Sequence, residues 1–150
     1  MSHGGIDLET SLGYLLKEAS SALRAAMEAV LRPLGMSVTH YSCLELLAQR
    51  PGLSNSELAR GAFVTRQSMN VLLQTLERDG LVTRPAEAPV GRALPARLTA
   101  RGRCSLAEAS AAVRSVELRM LSEVTEDERD AAARVLRSMI HSLRETDRRG

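Results

Sequence analysis

The chain has 150 residues, 44% of them apolar, and a formal net charge of +2. This length fits one domain with or without helical extensions. The only aromatic residues are Tyr14, Tyr41 and Phe63, so the core must be built from aliphatic side chains, which commonly pack helix on helix. No run of about 18 apolar residues is present, and the first residues lack the basic and apolar regions of a secretory signal, so we expect a cytoplasmic protein without a membrane partner.

Two helices are predicted at the start of the chain. The first spans residues 10–32, because apolar residues recur there every three or four positions and because Pro33 disfavours a helical conformation at the residue before it. Its stripe consists of Leu12, Leu16, Ala19, Leu23, Met27 and Val30. The second begins near Ser37 or Thr39, either of which can cap it, and ends at Arg50-Pro51-Gly52. Its stripe consists of Tyr41, Leu44, Leu47 and Ala48.

Two shorter helices follow, each with a cap at its start. Ser54 and Glu57 form a capping box that opens a helix ending near Arg60. We expect Gly61 to close this helix in a left-handed conformation, and Phe63 with Val64 to fill the space between the helices. Thr65 caps the next helix, which runs to about Asp79 and stops at Gly80. We expect its inward residues to be Met69, Leu72, Leu73 and Leu76.

The opposite side of this fourth helix is polar in its first two turns. It carries Arg66, Gln67, Asn70, Val71 and Gln74. Arginine pairs with guanine, asparagine and glutamine pair with adenine, and an apolar side chain can touch the thymine methyl group. The face therefore suits the reading of base edges, although any surface helix also presents a polar outer side.

A two-stranded wing is predicted after the fourth helix. Leu81–Arg84 reads as one strand and Ala93–Leu98 as its return, with Pro95 restricting the return to a short or edge strand. Arg92 lies at the tip of the loop, where it can meet a phosphate or a minor groove. Residues 51–103 hold eight arginines and four acids, whereas the rest of the chain has a net charge of −2. A basic segment in a slightly acidic frame suits nucleic-acid binding.

Two long helices complete the chain. Thr99 caps the fifth helix, and Thr125 with Glu128 forms a capping box at the start of the sixth. The fifth carries a heptad-like seam of Leu106, Ala109, Val113, Val116 and Met120. The central unit is too small to cover the apolar faces of the first helix and the last two, so we expect a two-fold dimer. A monomeric six-helix domain, which would bury these faces less completely, is the alternative.

Three stretches, in this order and spacing, carry a family resemblance. They are Pro51-Gly52-Leu53-Ser54 leading into Glu57-Leu58-Ala59, then Leu76 to Arg84, then Arg97 to Gly102. With them the chain resembles the MarR family of bacterial transcription regulators. The resemblance implies a mainly α fold with a small β-wing, in which a winged helix-turn-helix at residues 37–103 is embedded in a helical dimerisation domain at residues 10–36 and 104–147. It also implies a homodimeric repressor that binds a pseudo-palindromic operator in double-stranded DNA and is released by a small, phenolic or otherwise aromatic ligand.

The resemblance also implies where DNA and ligand bind. It places DNA contacts at Thr65, Arg66, Gln67, Ser68, Asn70 and Gln74 on the recognition helix and at Arg92 on the wing. The wing lacks the acid that usually precedes this arginine, and Val71 stands where many relatives have a base, which weakens the expected phosphate binding but not the expected fold. By position, the candidates for effector binding are Leu16, Ser20, Leu23, His40, Tyr41 and Leu44. Taken singly, Tyr41 is better explained as a core residue with its hydroxyl satisfied, and His40 as an exposed helix residue.

Other functional classes find less support in the residues. Cys43 and Cys104 are far apart without CxxC spacing, and the three histidines are scattered, so no metal or cofactor is expected. A repressor that senses oxidants through a cysteine is an alternative; Cys104, near Arg101 and Arg103, has better electrostatics for a thiolate than Cys43 on an apolar stripe. The absence of a Ser-His-Asp set and of a Gly-rich phosphate loop argues against an enzyme. A winged helix that binds protein instead of DNA is the remaining alternative.

Overall fold

A computed structural model of the chain describes residues 4–84 and 96–148. These form two compact units, Met1–Val116 and Glu117–Gly150. In chain order the elements are α1 (Leu12–Leu31), a 3-10 turn (Arg32–Leu34), α2 (Val38–Gln49), α3 (Asn55–Gly61), α4 (Arg66–Arg78), β1 (Val82–Thr83), β2 (Arg97–Leu98), α5 (Ala100–Met120) and α6 (Glu126–Asp147). The predicted mainly helical order with a small antiparallel wing is therefore confirmed.

Side-chain caps fix where most of these helices begin. The Ser54 hydroxyl accepts a hydrogen bond from the amide of Glu57 at 3.2 Å, and the Glu57 carboxylate accepts one from the amide of Ser54 at 3.1 Å. Thr125 and Glu128 form the same reciprocal pair at the start of α6. Of the two residues predicted to cap α2, the structure uses Ser37. Each cap satisfies backbone amides that the first helical turn leaves without a partner.

The turn between α3 and α4 differs from the prediction. Gly61 continues α3 with ordinary helical geometry, and the left-handed residue is Phe63, with φ of +60°. The amide of Val64 donates to the carbonyl of Ala59 at 3.0 Å, the closure that requires a left-handed residue just before it. The prediction that Phe63 fills the space between the helices is also wrong, because its side chain is 87% exposed.

Gly61 serves close packing instead of a turn. A Cβ atom there would lie 3.0 Å from a methyl group of Leu46 on α2, which is tighter than ordinary van der Waals contact. The missing side chain therefore lets α3 approach α2.

One apolar core joins α2, α3, α4, the wing and the start of α5. Its buried members are Cys43, Leu44, Leu47, Leu58, Ala59, Met69, Leu72, Leu73, Leu76, Val82, Ala96, Leu98 and Leu106. The four residues predicted to face inward from α4 are all among them. On α2 the buried stripe runs through Cys43, whereas Ala48, predicted to face inward, is exposed.

The described part of the wing is a short antiparallel pair. Val82 pairs with Leu98 and Thr83 with Arg97 in an antiparallel register of two residues a strand. Residues 85–95, which include the predicted loop, Arg92 and Pro95, lie outside the described residues. Within the described ranges, no helix is both long and apolar enough to cross a membrane.

Candidate nucleic-acid interface

The outer face of α4 presents a row of polar side chains. Met69, Leu72, Leu73 and Leu76 are buried and anchor one side of the helix in the core. Because a helix has about 3.6 residues per turn, this anchoring turns the remaining positions outward. Six residues predicted to contact DNA are exposed on α4 or at its cap, namely Thr65, Arg66, Gln67, Ser68, Asn70 and Gln74.

The start of α4 is fixed by two of these residues. The Thr65 hydroxyl accepts a hydrogen bond from the amide of Ser68 at 3.0 Å and donates one to the Ser68 hydroxyl at 2.9 Å. Thr65 and Ser68 thus hold each other in place at the first helical turn. Their arrangement fixes the backbone of the first turn, which carries the exposed residues Arg66 and Gln67.

Asn70 is tied to the helix before it. Its Oδ1 atom accepts a hydrogen bond from Nδ2 of Asn55, at the first residue of α3, over 2.5 Å. This contact joins α3 to the outward side of α4. It was not predicted, because the sequence places the two residues 15 positions apart with a turn between them.

Charge is distributed unevenly along α3 and α4. No acidic residue occurs from Leu58 to Leu76, whereas Arg60 and Arg66 in that stretch are both exposed. At the far end of α4, Glu77 forms an ion pair with Arg84 at 3.0 Å, which joins the last turn of the helix to the base of the wing. The basic end of this surface is therefore the start of α4, the end suited to an anionic partner.

The base of the wing is held against α5 by a threonine. The Thr99 hydroxyl donates to the carbonyl of Gly80 at 2.6 Å and accepts from the amide of Gly102 at 3.0 Å, while its amide donates to the carbonyl of Leu81 at 3.0 Å. The predicted cap of α5 at Thr99 is thus also the link to the wing. Arg92, the predicted contact at the wing tip, lies outside the described residues.

A cavity of about 690 Å³ lies between the end of α2, β2 and the first turns of α5. Leu47 and Leu106 contribute buried apolar surface to it, and Arg97 with Arg103 contributes two exposed cations. Its other lining residues are Ala48, Pro51, Gly52, Ala96, Leu98, Ala107 and Ser110. An apolar wall beside two guanidinium groups suits a small apolar molecule with a negative charge. Sequence periodicity gave no sign of this cavity, since its lining comes from three separate stretches.

The six predicted effector residues occupy different surroundings. Leu16 and Ser20 are exposed on α1, Leu23 is half-buried, and Leu44 is fully buried in the core. His40 lines one cavity of about 400 Å³, and Tyr41 lines another of about 220 Å³. The 690 Å³ cavity between α2, β2 and α5 contains none of the six.

His40 has a structural role at the start of α2. Its Nδ1 atom accepts a hydrogen bond from the amide of Ser37 at 3.2 Å, and its own amide donates to the Ser37 hydroxyl at 3.1 Å. Partial burial lowers the pKa of His40, and the nearby carboxylate of Asp79 only partly opposes this effect. The imidazole is therefore held in the neutral form that can accept a hydrogen bond.

Glu45 links α2 to α5. Its carboxylate accepts hydrogen bonds from Nε2 of Gln49 at 2.6 Å and from the Ser110 hydroxyl at 3.0 Å. Partial burial acts to raise the pKa of Glu45, but the hydrogen bonds from Gln49, Tyr41 and Ser110 outweigh it and lower the pKa. The Glu45 carboxylate thus connects α2 to α5, the long helix that follows the wing.

The two cysteines are in contrasting environments. Cys43 is fully buried, and its thiol lies 3.8 Å from the sulfur of Met69. Burial raises the pKa of Cys43 to about 12, so the thiolate is scarce at neutral pH. Cys104 is exposed on α5. Within residues 4–84 and 96–148, no cluster of three histidines, cysteines or acids is arranged to hold a metal ion.

Comparison with known proteins gives consistent relatives. The sequence profile of the MarR family matches residues 34–93. The HTH-type transcriptional repressor Rv2887 of Mycobacterium tuberculosis is 44% identical over 135 residues, which span 90% of this chain and 97% of that repressor.

Solved structures agree with this similarity. The crystal structure of Rv2887 with salicylic acid, at 45% identity, superposes with a TM-score of 0.71 over 87% of this chain and 96% of that one. The crystal structure of Rv2887 with DNA, at 42% identity, superposes with the same TM-score over 87% of this chain and 98% of that one. A MarR family regulator from Silicibacter pomeroyi superposes with a TM-score of 0.83 at 27% identity, over 95% of this chain and 96% of that one.

Proposed function

The chain belongs to the MarR family, and from that premise we propose that it is a homodimeric transcriptional repressor, which binds a pseudo-palindromic operator and is released by a small aromatic acid. Regulation of transcription, not an enzymatic reaction, is the activity of the family. The observation that carries the proposal is the outer face of α4, polar and without acids along its first three turns. The relative Rv2887 is a repressor of which a complex with DNA is known.

We assign recognition of base edges to α4. Arg66, Gln67, Asn70 and Gln74 have the hydrogen-bonding groups that read guanine and adenine in the major groove. Thr65 and Ser68 hold the first turn of the helix toward the phosphates, and Arg92 supplies a contact from the wing tip. The DNA-binding part is residues 37–103, and residues 10–36 and 104–147 form the dimerisation domain.

Exposed apolar residues support the dimer. In the first unit Leu12 is 62% exposed, and in the second unit Leu143 is 73% exposed. Other exposed apolar residues on the same helices are Leu15, Leu16, Val135, Leu136 and Ile140. Apolar faces of this extent are usually covered by a partner, and a second copy of the chain would place two α4 helices about 34 Å apart, the spacing of successive major grooves.

Binding to DNA tests the proposal directly. A gel shift with DNA from the region upstream of the chain's own gene, at two salt concentrations, is expected to show specific retardation. Arg66→Ala should abolish it, and Arg92→Ala should weaken it and lower the salt slope by about one unit, because one phosphate contact is lost. Arg134→Ala, on the exposed surface of α6, is the matched control and should bind normally. Retention of specific binding by Arg66→Ala would contradict the assignment of α4.

Two locations compete for the effector. One is the surface of α1 and α2 predicted from sequence, where His40 and Tyr41 line separate cavities, and the other is the cavity with Arg97 and Arg103. Structures of Rv2887 contain salicylic acid and p-aminosalicylic acid, so calorimetric titration with salicylate and p-aminosalicylate is the appropriate measurement. Arg103→Ala should weaken binding at least about tenfold if the cavity beside β2 is the site, because a charge-assisted hydrogen bond is lost. Tyr41→Phe should do so instead if the sequence-predicted set is the site.

A further inference from the structure

Phe63 combines two features that the fold does not require. Its side chain is 87% exposed, and its backbone is in the left-handed region at φ of +60°. Glycine or asparagine normally occupies this position after a helix, because a bulky side chain disfavours the left-handed conformation. A phenylalanine at this position strains the turn backbone, and its side chain is not buried in return.

The backbone of the turn does not depend on the aromatic ring. The closing hydrogen bonds run from the amides of Phe63 and Val64 to the carbonyls of Arg60 and Ala59, at 3.3 and 3.0 Å. A glycine at position 63 would make the same bonds with less strain. The closing hydrogen bonds therefore give no reason for an aromatic residue at this position.

The stretch of chain on both sides of Phe63 is basic and exposed. Phe63 lies two residues before Thr65, the cap of α4, and Arg60 and Arg66 on either side of it are both exposed. The sequence has no acid from Leu58 to Leu76. Exposed arginines in a stretch without acids favour a polyanion over an apolar protein partner.

We propose that Phe63 contacts DNA directly, with its ring packed on a deoxyribose of the backbone between the phosphates that Arg60 and Arg66 approach. The sugar is the apolar part of the backbone, and burying a ring against it adds affinity without releasing counterions. The inference rests on the proposed DNA-binding function. It adds a contact that depends on apolar burial to a surface otherwise made of charges and hydrogen bonds.

Three variants test this role in the full-length protein. Phe63→Gly is expected to raise the melting temperature by a few degrees, because the left-handed strain is relieved. It should also weaken binding to the upstream duplex about tenfold, the order expected for a lost apolar contact. Phe63→Asn should weaken binding similarly, and Phe63→Tyr, which keeps the ring, should bind like the natural chain.

The salt dependence separates the ring from the arginines. Plots of log Kd against log salt for Phe63→Gly should run parallel to those of the natural chain, whereas Arg60→Ala should reduce the slope by about one unit. Unchanged affinity in Phe63→Gly overturns the proposal, as does a lower melting temperature, which would give the ring a role in the fold. A shift of Phe63→Gly from dimer to monomer in light scattering also overturns it in favour of a protein contact. If the natural chain does not retard the duplex at all, the proposed function itself fails and this contact with it.

Discussion

The side-chain amide of Asn55 donates a hydrogen bond to Oδ1 of Asn70 over 2.5 Å, so that the first residue of α3 holds a side chain on the outward face of α4. Recognition of adenine by asparagine uses both ends of the amide, one as acceptor and one as donor. In this structure the bond from Asn55 takes one of the two lone pairs on Oδ1 of Asn70. The Nδ2 group and the second lone pair of Oδ1 can still meet a base, and the orientation of the amide is set from α3.

Base discrimination should therefore depend on both asparagines. We expect Asn70→Ala to lose about 1–3 kcal/mol of discrimination at one base pair of each half-site, and Asn55→Ala to lose part of the same discrimination because the amide of Asn70 is no longer oriented. Competition binding with duplexes altered one base pair at a time measures both. Equal discrimination by the natural chain and by Asn70→Ala would remove this residue from the interface.

The close approach of α5 to the wing makes Gly102 indispensable. A Cβ atom at this position would lie 2.0 Å from the carbonyl oxygen of Leu81, a backbone atom that cannot move aside without disturbing β1. We expect Gly102→Ala to destabilise the protein by about 2 kcal/mol or more, as overpacking against a rigid neighbour does, and to lower DNA affinity through the displaced wing. Urea unfolding monitored by circular dichroism measures the loss.

Gly13 provides the matched control, because a Cβ atom there meets Ser11 only at an ordinary 3.8 Å. Gly13→Ala should leave stability unchanged or raise it by up to about 1 kcal/mol, as alanine favours a helix over glycine. Similar effects of the two substitutions would mean that α5 and β1 are not in contact as described.

The two thiols should differ in reactivity by a wide margin. Cys43 is fully buried and its pKa is raised to about 12 by burial, whereas Cys104 is exposed. At pH 8 we expect Ellman's reagent to titrate Cys104 quickly and Cys43 only after denaturation, because the reagent needs an accessible thiolate. Cys104→Ser should abolish the fast phase. A fast phase that persists in Cys104→Ser would show that Cys43 is reactive after all and would make it a candidate sensor of oxidants.

Acid should weaken the start of α2 through His40. Burial lowers the pKa of His40, and its Nδ1 atom accepts the amide hydrogen of Ser37 only when the ring is neutral. Since the unfolded chain takes up the proton more readily, this contribution to stability is complete above about pH 6.5 and is lost as the pH falls through the lower pKa of the folded state. Unfolding free energies measured between pH 5 and 8 should show the decline.

His40→Gln separates this effect from other acid-sensitive groups. Glutamine keeps a hydrogen-bond acceptor at the third position of the capping box without titrating. The variant and the natural chain should therefore have similar unfolding free energies at pH 8, and the variant should lose less of its unfolding free energy at pH 5. Parallel pH profiles for the two proteins would assign the acid sensitivity to other residues.

Much of the local structure could be predicted from the sequence because its causes are local. The capping pairs Ser54 with Glu57 and Thr125 with Glu128 lie three residues apart, and the inward face of α4 follows from spacings of three and four. Those patterns also identified the outward residues of α4 as the candidate interface. The family resemblance depended on the same short stretches.

Features that depend on contacts between distant segments could not be predicted from the sequence and are visible only in the tertiary structure. The left-handed residue at the end of α3 is Phe63 and not Gly61, and Gly61 instead lies in helical geometry close to Leu46 on α2. The pairing of Asn55 with Asn70, and the cavity that brings Arg97 and Arg103 beside Leu47, join residues whose separation in sequence carries no periodic signal. The helix α1 was predicted correctly, yet Leu12, Leu16 and Ala19 of its apolar stripe are exposed. Burial of a helix face is decided by what packs against it and not by the spacing of residues along it.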